Sequence, residues 1–146
     1  MIIIIDSNIL ISACLDSKSE LYNIIVTDNL NIEFITPHFA LEEIKNHSNR
    51  ICVKAKKSVF DFEKNLDEVL SHILLLPDEE VSDENLIRAE DLTKNIDVKD
   101  TIFIAFSLAL NSLFWSGDIK LYKALKRKGF ANIITTKEFK QIIKGL

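Results

Sequence analysis

Glycine is scarce in this chain. Gly117, Gly129 and Gly145 are the only three among 146 residues, and neither G-x-G-x-x-G nor G-x-x-x-x-G-K-[ST] can be written with them. A nucleotide cofactor cradled by a glycine-rich phosphate loop is therefore not expected. Cysteine is equally sparse. Cys14 and Cys52 show no C-x-x-C spacing and read as buried free thiols in a reducing compartment. His38, His47 and His72 form no H-E-x-x-H or other paired spacing, which argues against a histidine-based zinc centre. No apolar run approaches the ~20 residues that span a bilayer. The opening MIIIID has no basic leader and meets an acid at position 6, unlike a secretory signal. The expectation is a cytoplasmic protein with no membrane association.

What is present is ample core. Hydrophobic residues make up 47% of the chain and nine are Phe. This is enough for one globular domain over residues 1–146 without disulfide staples. Net charge is −4, but it is unevenly spread. Five basic residues and no acid lie between Ile44 and Phe60, Lys45 and Lys54 among them. Eight basic residues against Glu138 alone lie between Ile119 and Leu146, including Lys120 and Lys123. Between Asp78 and Asp97 eight acids face Arg88 and Lys94. Basic flanks around an acidic centre are suited to holding phosphates.

Strand and helix patterns alternate. Ile2 to Ile5 is a β-branched run read as a buried strand, and Asp6-Ser7-Asn8 turns it into a helix over Ile9 to Leu15, capped by Asp6 or Ser7. A second helix is expected over Glu20 to Asp28 and a second strand over Asn31 to Ile35. Thr36-Pro37 reads as a hydroxyl cap followed by proline in a first turn. On that helix Glu43 falls at the edge of the inward face, whereas Glu42 points more to solvent. Ser48 to Ile73 reads as one long amphipathic helix or two joined ones. Leu74 to Leu76 is a short strand, and Ser82 caps a helix. Phe103 to Leu113 is a strongly apolar helix, followed by a strand over Leu113 to Trp115. Trp115 on this central strand is expected in the core. Lys120 to Lys128, Ile133-Ile134 and a helix opened by a Thr135–Glu138 capping box complete the chain. Such alternation implies a mostly parallel sheet covered on both faces.

The acids fall at the joints of this pattern. Asp6, Glu43, Asp100 and Asp118 each lie at or near a strand or helix terminus, with Asp97 a possible fifth. In parallel α/β sheets the carboxyl ends of strands and the amino ends of helices share one edge, where ligands bind. Singly, each acid could be a cap or a turn former. Together they are costly: two carboxylates ~4 Å apart repel by about 4 kcal/mol at an effective dielectric of 20, against a domain stability of only ~5–15 kcal/mol. Such a cluster calls for a divalent cation or shared protons, and all-oxygen ligands suit Mg²⁺ or Mn²⁺ better than zinc. An ion there would serve hydrolysis at phosphorus. Two alternatives stay open. One is a phosphohydrolase using Asp6 as a nucleophile, although that chemistry wants a second acid where Asn8 stands. The other is a catalytically silent binding module of the same fold.

Four segments, in order, resemble the PIN-domain family of metal-dependent ribonucleases, which includes the toxins of toxin–antitoxin pairs. IIIIDSNILISACL is similar to the family's first motif, TPHFALEEI to its second, DVKDTIFIAFSLAL to its third and LFWSGDIKL to its fourth. KGFANIITTKEF looks like the closing strand and helix of one branch. The resemblance implies a three-layer α/β/α sandwich with a central, mostly parallel sheet of about five strands. It implies that Asp6, Glu43, Asp100 and Asp118 are the catalytic, metal-binding acids, with Asp97 an extra acid. Asn8 and Ser116 would support them by hydrogen bonding. It further implies Mg²⁺ or Mn²⁺ as cofactor, an RNA substrate and an antitoxin partner, with a homodimer common in the family.

Overall fold

The computed structural model describes residues 1–28 and 31–146. Five strands and eight α-helices occur among them: β1 (Ile2–Ile5), α1 (Ser7–Leu15), α2 (Glu20–Val26), β2 (Glu33–Pro37), α3 (His38–Ala55), α4 (Val59–Leu70), β3 (Ile73–Leu76), α5 (Asp83–Thr93), α6 (Thr101–Leu110), β4 (Leu113–Trp115), α7 (Ile119–Arg127), β5 (Ile133–Ile134) and α8 (Thr136–Lys144). Single 3₁₀ turns at Asp78–Glu80 and Val98–Asp100 precede α5 and α6. The strands form one sheet in the order β3-β2-β1-β4-β5, and every pair is parallel. The central register sets Ile4 beside Ile35 and Ile5 beside Trp115.

Because side chains alternate across a strand, β1 feeds two cores. Ile3 and Ile5 join Phe34, Trp115 and Phe139 under α1, α3, α4 and α8. Ile4 joins Ile35, Phe114 and Ile133 under α5, α6 and α7. The expected three-layer sandwich follows, and a central strand buried on both faces explains why β1 is apolar throughout. Trp115 is fully buried, stacked on Phe139 with ring centroids 4.1 Å apart, and its Nε1 donates to Thr136 Oγ1. Cys14 and Cys52 are buried free thiols. No helix among the described residues is long and apolar enough to cross a membrane.

Several local expectations are corrected. Thr36 does not cap α3: it lies in β2, fully buried, and its hydroxyl donates to the Ile5 carbonyl. The capping role passes to Asp78, whose Oδ1 accepts from Phe39 N at 3.2 Å. Ser48 opens no helix but lies within α3, where its hydroxyl turns back to the Lys45 carbonyl. The long charged segment divides after Ala55, where Lys56 adopts a left-handed backbone (φ 56°) and Ser58 then caps α4. α6 stops at Leu110 rather than Leu113, because Asn111 takes the left-handed position (φ 47°) that ends it. α2 is shorter than expected, ending at Val26, and β3 starts one residue early, at Ile73.

Candidate metal centre

The strand order reverses beside β1. The chain passes from β1 outward to β2 and β3, then returns to β4 on the other side and continues to β5. The carboxyl ends of β1 and β4 therefore bound a crevice at the switch point, where such sheets bind ligands. Asp6 directly follows β1, and Ser116-Gly117-Asp118 follow β4. The parallel connections also bring the amino ends of α1, α3 and α7 to this edge. Their partial positive charge favours the acids there.

One hydrogen-bond network ties the two strand ends. Ser116 Oγ donates to Asp6 Oδ2 at 2.6 Å and accepts from Asp118 N at 3.1 Å. Asn8 Nδ2 donates to the same Asp6 oxygen at 3.3 Å, and Asn8 Oδ1 accepts from Gly117 N at 3.1 Å. The supporting roles expected of Asn8 and Ser116 thus have a geometric counterpart. Gly117 is not forced by space: a Cβ there would meet Asn8 and Ile9 only at ordinary contact distance.

Asp6, Glu43, Asp97 and Asp100 line one pocket of about 240 Å³. Asp118 does not line it, but its charge acts on both Asp6 and Asp100. Their settings differ. Asp6 occupies the cap position of α1 without making a cap bond, so its carboxylate is left to the pocket network. Asp118 spends Oδ1 on Leu121 N at 3.0 Å, capping α7. Asp97 caps the 3₁₀ turn through Lys99 N, and Asp100, the third residue of that turn, stands at the cap position of α6 with no cap bond. Glu43 is half-buried on α3.

None of the five acids takes part in an ion pair within 4.0 Å among the described residues. Burial is the main force that raises Asp6 from its ordinary 3.8 to about 6, assisted by the charges of Asp118 and Glu43 and opposed by hydrogen bonds from Ser116 and the Ser7 backbone. Asp100 is raised to about 7, by burial first and then by the charges of Asp6, Asp97, Asp118 and Glu43. Both carboxyls thus hold their protons to higher pH than an ordinary aspartate does.

The donor set fits a hard divalent ion: four carboxylates with no cation paired to them within 4.0 Å among the described residues, and a buried polar atom still unsatisfied on a lining residue. That atom is Ser7 Oγ, a buried side-chain oxygen with no hydrogen-bond partner. As the side chains stand, no three His, Cys, Asp or Glu among the described residues are close enough to hold an ion jointly. The acids converge on one pocket without forming a closed ligand cage.

Sequence reasoning missed four contributors to this pocket: Ser7, Ile11, Lys99 and Phe103. Ser7 was readable as an alternative helix cap and as the hydroxyl residue after Asp6 in the first motif, without a role in the pocket. Lys99 stands between Asp97 and Asp100 in the chain, outside both basic clusters. Lys45, Lys54, Lys120 and Lys123 are all exposed. Lys120 lies two residues after Asp118, with Lys123 one turn further along α7. Lys45 lines a different groove, between α3 and α4, with Phe62 and Asp67. Lys54 is 11 residues beyond Glu43 on α3, about 16 Å along the helix axis.

An all-parallel five-stranded α/β/α domain with a carboxylate pocket at its switch point belongs to the doubly wound parallel class, which binds ligands at that edge. Comparison narrows this. The chain belongs to the PIN-domain family, whose model matches residues 4–139. Among solved structures it is similar to VapBC2 from Rickettsia felis bound to a DNA fragment from their promoter, at 18% identity and TM-score 0.63, covering 92% of this chain and 97% of that one. It is also similar to VapBC-1 from nontypeable Haemophilus influenzae, at 17% identity and TM-score 0.59, covering 87% of this chain and 94% of that one. At these identities the likeness concerns the fold. No match was found among curated protein sequences.

Proposed function

We propose that this protein is a Mg²⁺- or Mn²⁺-dependent endoribonuclease, the toxin of a toxin–antitoxin pair working in the cytoplasm. The observation that carries the reading is the convergence of Asp6, Glu43, Asp97 and Asp100 on one pocket, with Asp118 beside it and no cation paired to any of them among the described residues. Asp6, Glu43, Asp100 and Asp118 would hold the ion, and Asp97 would add negative charge at the rim. A divalent ion supplies the Lewis acidity that phosphodiester hydrolysis requires.

The chain's own residues do the rest. Ser116 and Asn8 fix the orientation of Asp6 through its Oδ2. The α7 cap holds Asp118 at the adjacent strand end. Phe103 and Ile11 give the pocket an apolar wall that limits water. Lys120 and Lys123 are placed to meet a phosphate backbone near the site. Asp6 is poorly suited to covalent attack, since it is buried and already engaged by Ser116 and Asn8. An antitoxin partner belongs to the same reading, which the VapBC neighbours support, and a homodimer belongs to it on the family resemblance alone.

The test is incubation of the purified protein with mixed RNA in Mg²⁺ or Mn²⁺, alongside EDTA and the Asp118→Asn variant. Cleavage confined to the wild type with metal is the expected result. Cleavage that persists in EDTA or in Asp118→Asn would sink the proposal, as would no cleavage under any condition.

A further inference from the structure

Ser7 is the first residue of α1 and is 4% exposed, directly after Asp6. Its Oγ is the one buried side-chain polar atom among the described residues that lacks a hydrogen-bond partner. Neighbouring hydroxyls do not share this state. Ser116 Oγ has three partners, and Thr36 Oγ1 donates to a carbonyl. A buried hydroxyl left unpaired is unfavourable, and folded proteins satisfy nearly all such groups with protein or with bound water. An unpaired one on a residue that lines a pocket points to a partner that arrives with the ligand. Ser7 lines the same pocket as Asp6, Glu43, Asp97 and Asp100. A serine has a single side-chain torsion, so its oxygen can turn towards that pocket without backbone movement.

We propose that Ser7 is a positioning residue for the ion held by the acids, its hydroxyl donating to a carboxylate that binds the ion or accepting from the ion's own water. This rests on the metal-dependent reading given above. Groups that orient a metal's ligands and waters in this way typically contribute about 10-fold or more to affinity when removed. The hydroxyl contributes nothing to the metal-free protein, where it is buried without a partner. The two states of the protein therefore answer Ser7→Ala with different signs.

The experiment compares wild type and Ser7→Ala in two measurements: Mn²⁺ affinity by calorimetric titration, and thermal unfolding in EDTA. The variant is expected to bind Mn²⁺ about 10-fold more weakly, yet to melt in EDTA at or above the wild-type temperature. Equal Mn²⁺ affinity in the two proteins overturns the role of Ser7 while leaving the metal reading intact. A variant that melts several degrees lower in EDTA also overturns it, because the hydroxyl must then have a partner within the protein. Absence of Mn²⁺ binding to the wild type overturns the metal reading itself, and the role of Ser7 with it.

Discussion

Ser116 donates a 2.6 Å hydrogen bond to Asp6 across 110 residues of sequence. The bond joins the carboxyl ends of two adjacent parallel strands, β1 and β4, whose register already sets Ile5 beside Trp115. It also lowers the proton affinity of a carboxylate that burial raises. Ser116→Ala removes the donor and leaves Asp6 more protonated at neutral pH. Loss of a hydrogen bond to a charged group typically costs about 1.5–3 kcal/mol. Urea unfolding should therefore show a lower midpoint, and RNA cleavage should fall with its acid limb displaced to higher pH.

Asp118 has two duties that substitution can separate. Its Oδ1 caps α7, and its charge acts on the pocket. Asparagine caps a helix about as well as aspartate, whereas alanine costs ~1 kcal/mol. Asp118→Asn should therefore keep wild-type stability and lose cleavage. Asp118→Ala should lose cleavage and also unfold at lower denaturant.

The acid pair Asp6 and Asp100 predicts how the metal-free protein responds to pH. Both carboxyls are raised above 3.8 in the fold, to about 6 and about 7, so the folded state binds more protons than the unfolded one in between. Their contribution is full below about pH 4 and falls away as pH climbs through about 7, with the two titrating as a coupled pair. In EDTA, melting temperature should drop between pH 5 and pH 8 from this source. Asp100→Asn should flatten that drop and stabilise the metal-free protein at pH 8 by about 1–2 kcal/mol, after discounting for solvent screening. An unchanged pH profile in the variant would show that Asp100 is not the titrating group.

Asp78 caps α3, the helix that carries Glu43. Asp78→Ala should cost about 0.5–2 kcal/mol, read by thermal unfolding. It should weaken Mn²⁺ binding less than Glu43→Gln does, because only the helix start is loosened.

Lys120 follows Asp118 by two residues at the start of α7, whereas Lys54 lies 11 residues beyond Glu43 near the end of α3. Replacement of Lys120 and Lys123 by glutamate should weaken binding of single-stranded RNA to Asp118→Asn. It should also reduce the salt slope by roughly 0.7 for each phosphate that the protein ceases to neutralise. Lys54→Glu should change neither quantity, as filter binding at two salt concentrations would show.

Much of this molecule was readable in its residues, for reasons that differ by element. β1 is a continuous apolar run, as a strand covered on both faces requires, and α6 is apolar apart from Thr101 and Ser107. Glu43 was separable from Glu42 because helical periodicity distinguishes adjacent positions by about 100°. Asp78 as the cap of α3 was not readable: the hydrogen bond spans 39 residues, and nothing local to Thr36-Pro37 announces it. Thr36 misled because a hydroxyl before proline suits a cap and an end-of-strand donor equally well. Ser7 was hidden for another reason. A missing partner is a property of the assembled pocket, and no sequence pattern encodes it.

The burial of the two sulfurs has a practical outcome. Cys14 and Cys52 are fully enclosed, and burial pushes the Cys14 thiol up to about 12, far from the thiolate that alkylating reagents attack. Labelling by such a reagent can proceed only when the enclosing helices part. Its rate thus clocks opening of the α1–α3–α4 layer independently of catalysis, with or without an ion bound.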